Sequence, residues 1–100
     1  MSWKKNKINV AVQVLPEADG KVKYSLVDQA IGAIQKSGFS CRVCPFETVV
    51  ECFYDQFPQL METIHQACRD AGTERMITNL KIQVDFEQDV TIEDKMEKYD

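Results

Sequence analysis

Several things are scarce in this sequence, and each shortage closes off a class of function. Histidine occurs once, as His65, and only one CxxC pair is present, so no metal-ligand cluster can be assembled from local spacing. Basic residues number 12 against 16 acidic ones, for a net charge of −4; the electrostatic footprint of a nucleic-acid backbone binder is missing. No apolar run approaches the roughly 20 residues that a membrane-spanning helix needs. The start, Met1 to Lys7, is basic but leads into an alternating strand, not the apolar block of a signal peptide, so a cytoplasmic protein is expected. There is no Gly-rich phosphate loop, no nucleophile elbow and no carboxylate pair placed for acid/base work. No enzyme, cofactor or metal site is therefore expected.

Cysteine is less scarce, at four residues. Cys41 and Cys44 have CxxC spacing, but redox pairs of this kind usually open a helix, which lowers the thiol pKa. Here the pair lies on a strand-like run, where three-residue spacing sends side chains to opposite faces. The cysteines read as reduced, small hydrophobes. With 44% hydrophobic residues, a chain this size forms one domain, 1–100, and buries roughly 65% of its unfolded surface without disulfide or metal help.

The chain is organised around Cys41 to Tyr54. Two β-like runs, Phe39–Cys44 and Thr48–Tyr54, flank Pro45-Phe46-Glu47 and make a hairpin. Before it, Ile8, Val10, Val12 and Val14 alternate with Asn9, Ala11, Gln13 and Leu15 as a first strand. A helical stripe of Leu26, Val27, Ala30, Ile31 and Ile34 follows within Val22–Ser37, with Gly38 placed for a left-handed C′ position. After the hairpin, Asp55 is a candidate cap for a second helix, striped by Phe57, Leu60, Met61, Ile64, Ala67, Cys68 and Ala71. A final strand is predicted over Arg75–Phe86, about double the mean strand length. Thr91, with Asp94 three residues on, then caps a short helix striped by Ile92, Met96 and Tyr99.

The order β-α-β-β-α-β gives an α+β fold: a four-stranded antiparallel sheet, order 4-1-3-2, with two helices on one face and a short C-terminal helix. RNA-recognition modules share this order, but they stack bases on sheet aromatics. Here only Phe53 is suitable and the charge is acidic, so nucleic acid is excluded as a partner. The opposite sheet face has no predicted helix to cover it, and the long last strand is an apolar edge. Both features point to self-association.

That open face should also gather Gln13, Glu51, Asn79 and Lys81. Polar groups of mixed type among aliphatics suit a small-ligand pocket; the plainer reading is a solvated or interfacial face with internal ion pairs. Thr48 has the wrong parity for the face unless a bulge re-aims it. Pro45 and Phe46 either pack the turn or wall a flat heterocycle. His65 reads as a boundary residue.

Val12-Gln-Val-Leu-Pro16, Pro45-Phe-Glu-Thr-Val-Val-Glu51, Lys81-Ile82 and Thr91-Ile-Glu-Asp-Lys-Met96 resemble, in order and spacing, the thiamine-binding protein family also called DUF77 or UPF0045. The commonest hairpin motif of that family reads Pro-Met-Gly-Thr-x-x-Glu-Gly. This chain keeps Pro45, Thr48 and Glu51 but carries Phe46-Glu47 for Met-Gly and Cys52 for the last glycine, like a Pro-Phe-Glu-Thr branch. The resemblance implies a ferredoxin-like fold, a homotetramer built from dimers, and binding of thiamine or its hydroxymethylpyrimidine part without catalysis. It carries over Thr48 and Glu51 as ligand contacts. The ligand-binding candidates are then Gln13, Pro45, Phe46, Thr48, Glu51, Asn79 and Lys81. A structural or regulatory homo-oligomer without a small ligand is the alternative.

Overall fold

The computed structural model describes residues 2–100. It contains β1 (Lys7–Pro16), α1 (Gly20–Lys36), β2 (Ser40–Val43), β3 (Thr48–Phe53), α2 (Phe57–Asp70), β4 (Met76–Gln83) and α3 (Ile92–Met96). Short 3-10 turns at Trp3–Lys5 and Tyr54–Gln56 precede β1 and α2. The four strands form one sheet in the order β2-β3-β1-β4, every neighbouring pair antiparallel. This is the expected ferredoxin-like order read from the other edge.

Alternation in β1 sends Ile8, Val10, Val12 and Val14 to the helix side, where all are buried. Val50 and Cys52 of β3, Ala30 and Ile34 of α1, and Leu60, Ile64 and Cys68 of α2 complete the core. Gly38 (φ 88°) and Gly72 (φ 103°) take the left-handed conformation just after α1 and α2, which a side chain would oppose. Asp55 does not cap α2. It lies in the preceding 3-10 turn, and its carboxylate accepts from Lys5 Nζ at 2.9 Å.

Two expectations about the last strand and the open face need correction. β4 has eight residues, not twelve, and all eight pair with β1 between Asn9↔Gln83 and Pro16↔Met76. The chain leaves the ladder because other partners claim it. Phe86 packs edge-on against Trp3 at 5.1 Å, Trp3 meets Tyr54 at 4.7 Å, and Asn6 Nδ2 donates to the Asp85 carbonyl. Residues 84–100 then turn back across the open face, which is therefore partly covered. Val90 N donates to Lys7 O, Lys7 N to Asp89 Oδ1, and Asn9 Nδ2 to Val90 O. Val90 and Asn9 are both buried there. Thr91 caps α3 as expected, its hydroxyl accepting from Asp94 N. At the far side a two-pronged Arg42–Asp100 pair, 2.9 Å at each prong, joins β2 to the last residue.

Candidate functional site

β3 stops pairing with β1 at Val12↔Thr48, whereas β1 runs on beside β4 as far as Pro16. Between those two points β1 has a strand on one side only. Each strand residue carries a backbone donor and acceptor, so this stretch presents hydrogen-bonding groups that no described strand takes up. The hairpin tip, closed by Cys44 N donating to Glu47 O at 2.9 Å, stands beside the gap, and one face of α1, from Gly20 to Ile34, roofs it. The result is a cavity of about 520 Å³, lined by Gln13, Leu15, Tyr24, Ile31, Phe46 and Thr48 among others. Its size suits a small organic ligand. A larger, shallower groove of about 720 Å³ runs between α1 and α2 past Gly32, Ala33, Ala67 and Ala71, but its polar lining consists of surface side chains.

Four of the seven candidate residues, Gln13, Pro45, Phe46 and Thr48, line this one cavity. Thr48 enters it without any bulge. Its register with Val12 and Val43 is regular, so it stays on the helix side of the sheet, 4% exposed. The proposed re-aiming toward the open face does not occur. Asn79 and Lys81 lie next door on the open face. Asn79 Nδ2 donates to Gln13 Oε1 at 3.2 Å, and Lys81 Nζ reaches across Ala11 to Glu47 Oε1 at 3.0 Å. They touch the site through residues that line it.

Glu51 is elsewhere. Near the opposite end of β3 its Oε1 accepts from the Ile92 backbone N–H at 2.8 Å, and Lys7 Nζ lies 3.9 Å from Oε2. A carboxylate at the first turn of α3 satisfies an orphan donor and the helix dipole. This geometry gives Glu51 a structural task.

Tyr24, Lys23, Cys44 and Glu47 also line the cavity and were missed. Tyr24 is 74% exposed, and an aromatic residue lying off the apolar stripe of α1 is the oddity a reader of sequence could have flagged. The thiols are free. Burial pushes Cys41 and Cys68 above their ordinary pKa. Burial first, then the Asp55 and Glu51 charges, pushes Cys52 up to about 11. Thiols so placed are poor nucleophiles at neutral pH. Among the described residues no group of three or more His, Cys, Asp or Glu side chains is placed to hold a metal ion. Nor is any described helix long and apolar enough to cross a membrane.

The sequence model of the family described as "Thiamine-binding protein" matches residues 10–100. The chain belongs to that family. A UPF0045 protein of Clostridium perfringens is 32% identical over 92 residues, covering 91% of this chain and 95% of the relative. Among solved structures, a DUF77 domain of unknown function from Bacillus cereus is 37% identical with a TM-score of 0.84, covering 95% of this chain and 91% of its own. A Thermotoga maritima protein, described as a candidate for thiamine biosynthesis or salvage, is 27% identical with a TM-score of 0.77, covering 94% and 99%. Both solved structures share this chain's fold over nearly its whole length.

Proposed function

We propose that this chain is a non-catalytic binding protein for thiamine or its hydroxymethylpyrimidine part, and that the ligand enters the cavity under the hairpin tip. The observation that carries the reading is the place where β3 ends before β1 does. An aminopyrimidine offers a ring-nitrogen acceptor beside an exocyclic amine donor, the same alternation as a strand edge, and can pair with the backbone of β1 at Gln13–Leu15. The Thr48 hydroxyl and the Gln13 amide supply the remaining partners, and Pro45 and Phe46 wall the ring. Asn79 steadies Gln13 from outside, and Lys81 pairs with Glu47 at the rim. An unmatched buried group costs about 1–3 kcal/mol, which is how such a site discriminates. Membership of the thiamine-binding family supports the reading. Calorimetric titration with thiamine and with hydroxymethylpyrimidine tests it: saturable, stoichiometric heat is expected, and absence of heat with both removes it.

The same proposal includes a homo-oligomer in the cytoplasm, a dimer of dimers. β4 has β1 on one side and no described strand on the other, and it exposes Ile77, Leu80 and Ile82. A second copy adding its own β4 would pair that edge and bury those side chains. Ile82→Lys is expected to lower the mass seen by light scattering. A wild-type protein running at 11.5 kDa at micromolar concentration would refute the assembly.

A further inference from the structure

The cavity mouth carries two exposed aromatic side chains from different elements. Tyr24 of α1 is 74% exposed and Phe46 of the tip 82% exposed, and both line the same cavity. Next to Phe46, Glu47 lines it too, with its side chain only 26% exposed. The one cation paired with Glu47 among the described residues is Lys81, which is not part of the cavity lining and arrives from β4 with its side chain 77% exposed. A carboxylate largely withdrawn from water is thus neutralised by a long, solvated side chain reaching in from outside. The Lys81 end of the pair is the solvated one, so its ammonium returns to water at little cost. Lys23 lines the cavity from α1, beside Tyr24 rather than beside Phe46, so the acidic and basic groups belong to different walls.

Resting on the binding reading above, we infer that the Phe46–Glu47 tip is a subsite for a flat heterocyclic cation, with Tyr24 as the facing wall, and that Lys81 holds the subsite when no ligand is bound. A delocalised ring cation is attracted to the face of an aromatic ring and to the carboxylate beside it, and being weakly hydrated it loses little on leaving water. It takes the place of the Lys81 ammonium, which returns to solvent. Within the proposed ligand class this separates the two candidates: thiamine carries a thiazolium cation, whereas hydroxymethylpyrimidine is neutral at pH 7. Glu47 is then the residue that sets preference, and Thr48 with the β1 edge holds the part common to both ligands.

The experiment is isothermal titration of wild type, Glu47→Gln, Glu47→Asp, Lys81→Gln and Tyr24→Leu with thiamine and with hydroxymethylpyrimidine, alongside circular-dichroism melting. Wild type is expected to bind thiamine the more tightly. Glu47→Gln should weaken thiamine about tenfold and leave hydroxymethylpyrimidine unchanged, and Glu47→Asp should restore most of the loss. Lys81→Gln, by removing the competitor, should tighten thiamine about threefold. Tyr24→Leu should weaken thiamine more than the neutral ligand. If Glu47→Gln melts like wild type and weakens both ligands equally or neither, the cation subsite is wrong while the binding reading stands. If wild type binds neither ligand, the binding reading fails and the subsite fails with it.

Discussion

The two ends of the β1–β3 pair are built from the same kinds of residue and treated in opposite ways. At the Lys7–Asn9 end the polar groups are occupied by residues 85–92: Asn6, Lys7, Asn9 and Glu51 each hold a backbone or side-chain partner there. Asn9 Oδ1 is the exception, buried without a partner among the described residues. At the Gln13–Leu15 end the neighbouring strand is missing, the roof is one face of a helix, and two aromatic rings are exposed. Polar residues at the first end are spent on holding the chain together; at the second, Gln13 and Glu47 are paired only with the exposed side chains of Asn79 and Lys81 and also line the cavity. Polarity on a sheet face is therefore a poor guide to a site until it is known which groups are already satisfied.

The contrast can be broken most directly by exchanging the two threatened losses. Glu51→Ala strands the Ile92 N–H at the start of α3 and should cost about 1–3 kcal/mol of stability, with ligand affinity unchanged; loss of affinity without loss of melting temperature would move Glu51 back into the site. Thr48→Val keeps the buried volume and deletes the hydroxyl. It should weaken ligand binding by about tenfold, near the 0.5–1.5 kcal/mol of one hydrogen bond, and leave unfolding by urea nearly unaltered. A smaller effect is expected from pH. The Cys52 thiol is ordinary, near 9.0, in the unfolded chain and raised to about 11 by burial in the folded one, so the folded state favours the protonated form. That contribution is complete below pH 9 and is lost as pH rises through about 11. Melting curves should decline over this window, less steeply in Cys52→Val, and an unchanged slope would place the titrating group elsewhere. Least of all is expected from Arg42→Ala, whose exposed pairing with Asp100 should leave melting at physiological salt within error; a large drop would make that fork part of the closure.

Most of the fold was legible because it rests on period. The alternation of Ile8 to Val14, the stripes of the two helices and the glycines after them recur in the structure where local pattern placed them. The open face collected Gln13, Asn79 and Lys81 as parity required. What pattern could not supply was the path of residues 84–100. Val84 and Phe86 continue the alternation of β4, but distant partners hold that segment off the ladder, among them Trp3 against Phe86 and Asn6, 79 residues away in sequence, on Asp85. Glu51 changed meaning for the same reason: its partner lies 41 residues on. The cavity was invisible for a different reason. It is made by a difference in length between two strands, and strand ends are the least certain feature of a periodic reading.

One consequence follows from the edge-on trio of Trp3, Tyr54 and Phe86. Trp3 is the sole tryptophan, and it sits against Phe86 in the segment that closes one end of the sheet, while the rings lining the cavity are Tyr24 and Phe46. Its emission is a private gauge of that closure. Light absorbed at 295 nm samples only the latched end, so a ligand settling at the other end leaves the spectrum still, and any shift in it on titration measures how far the two ends speak to each other.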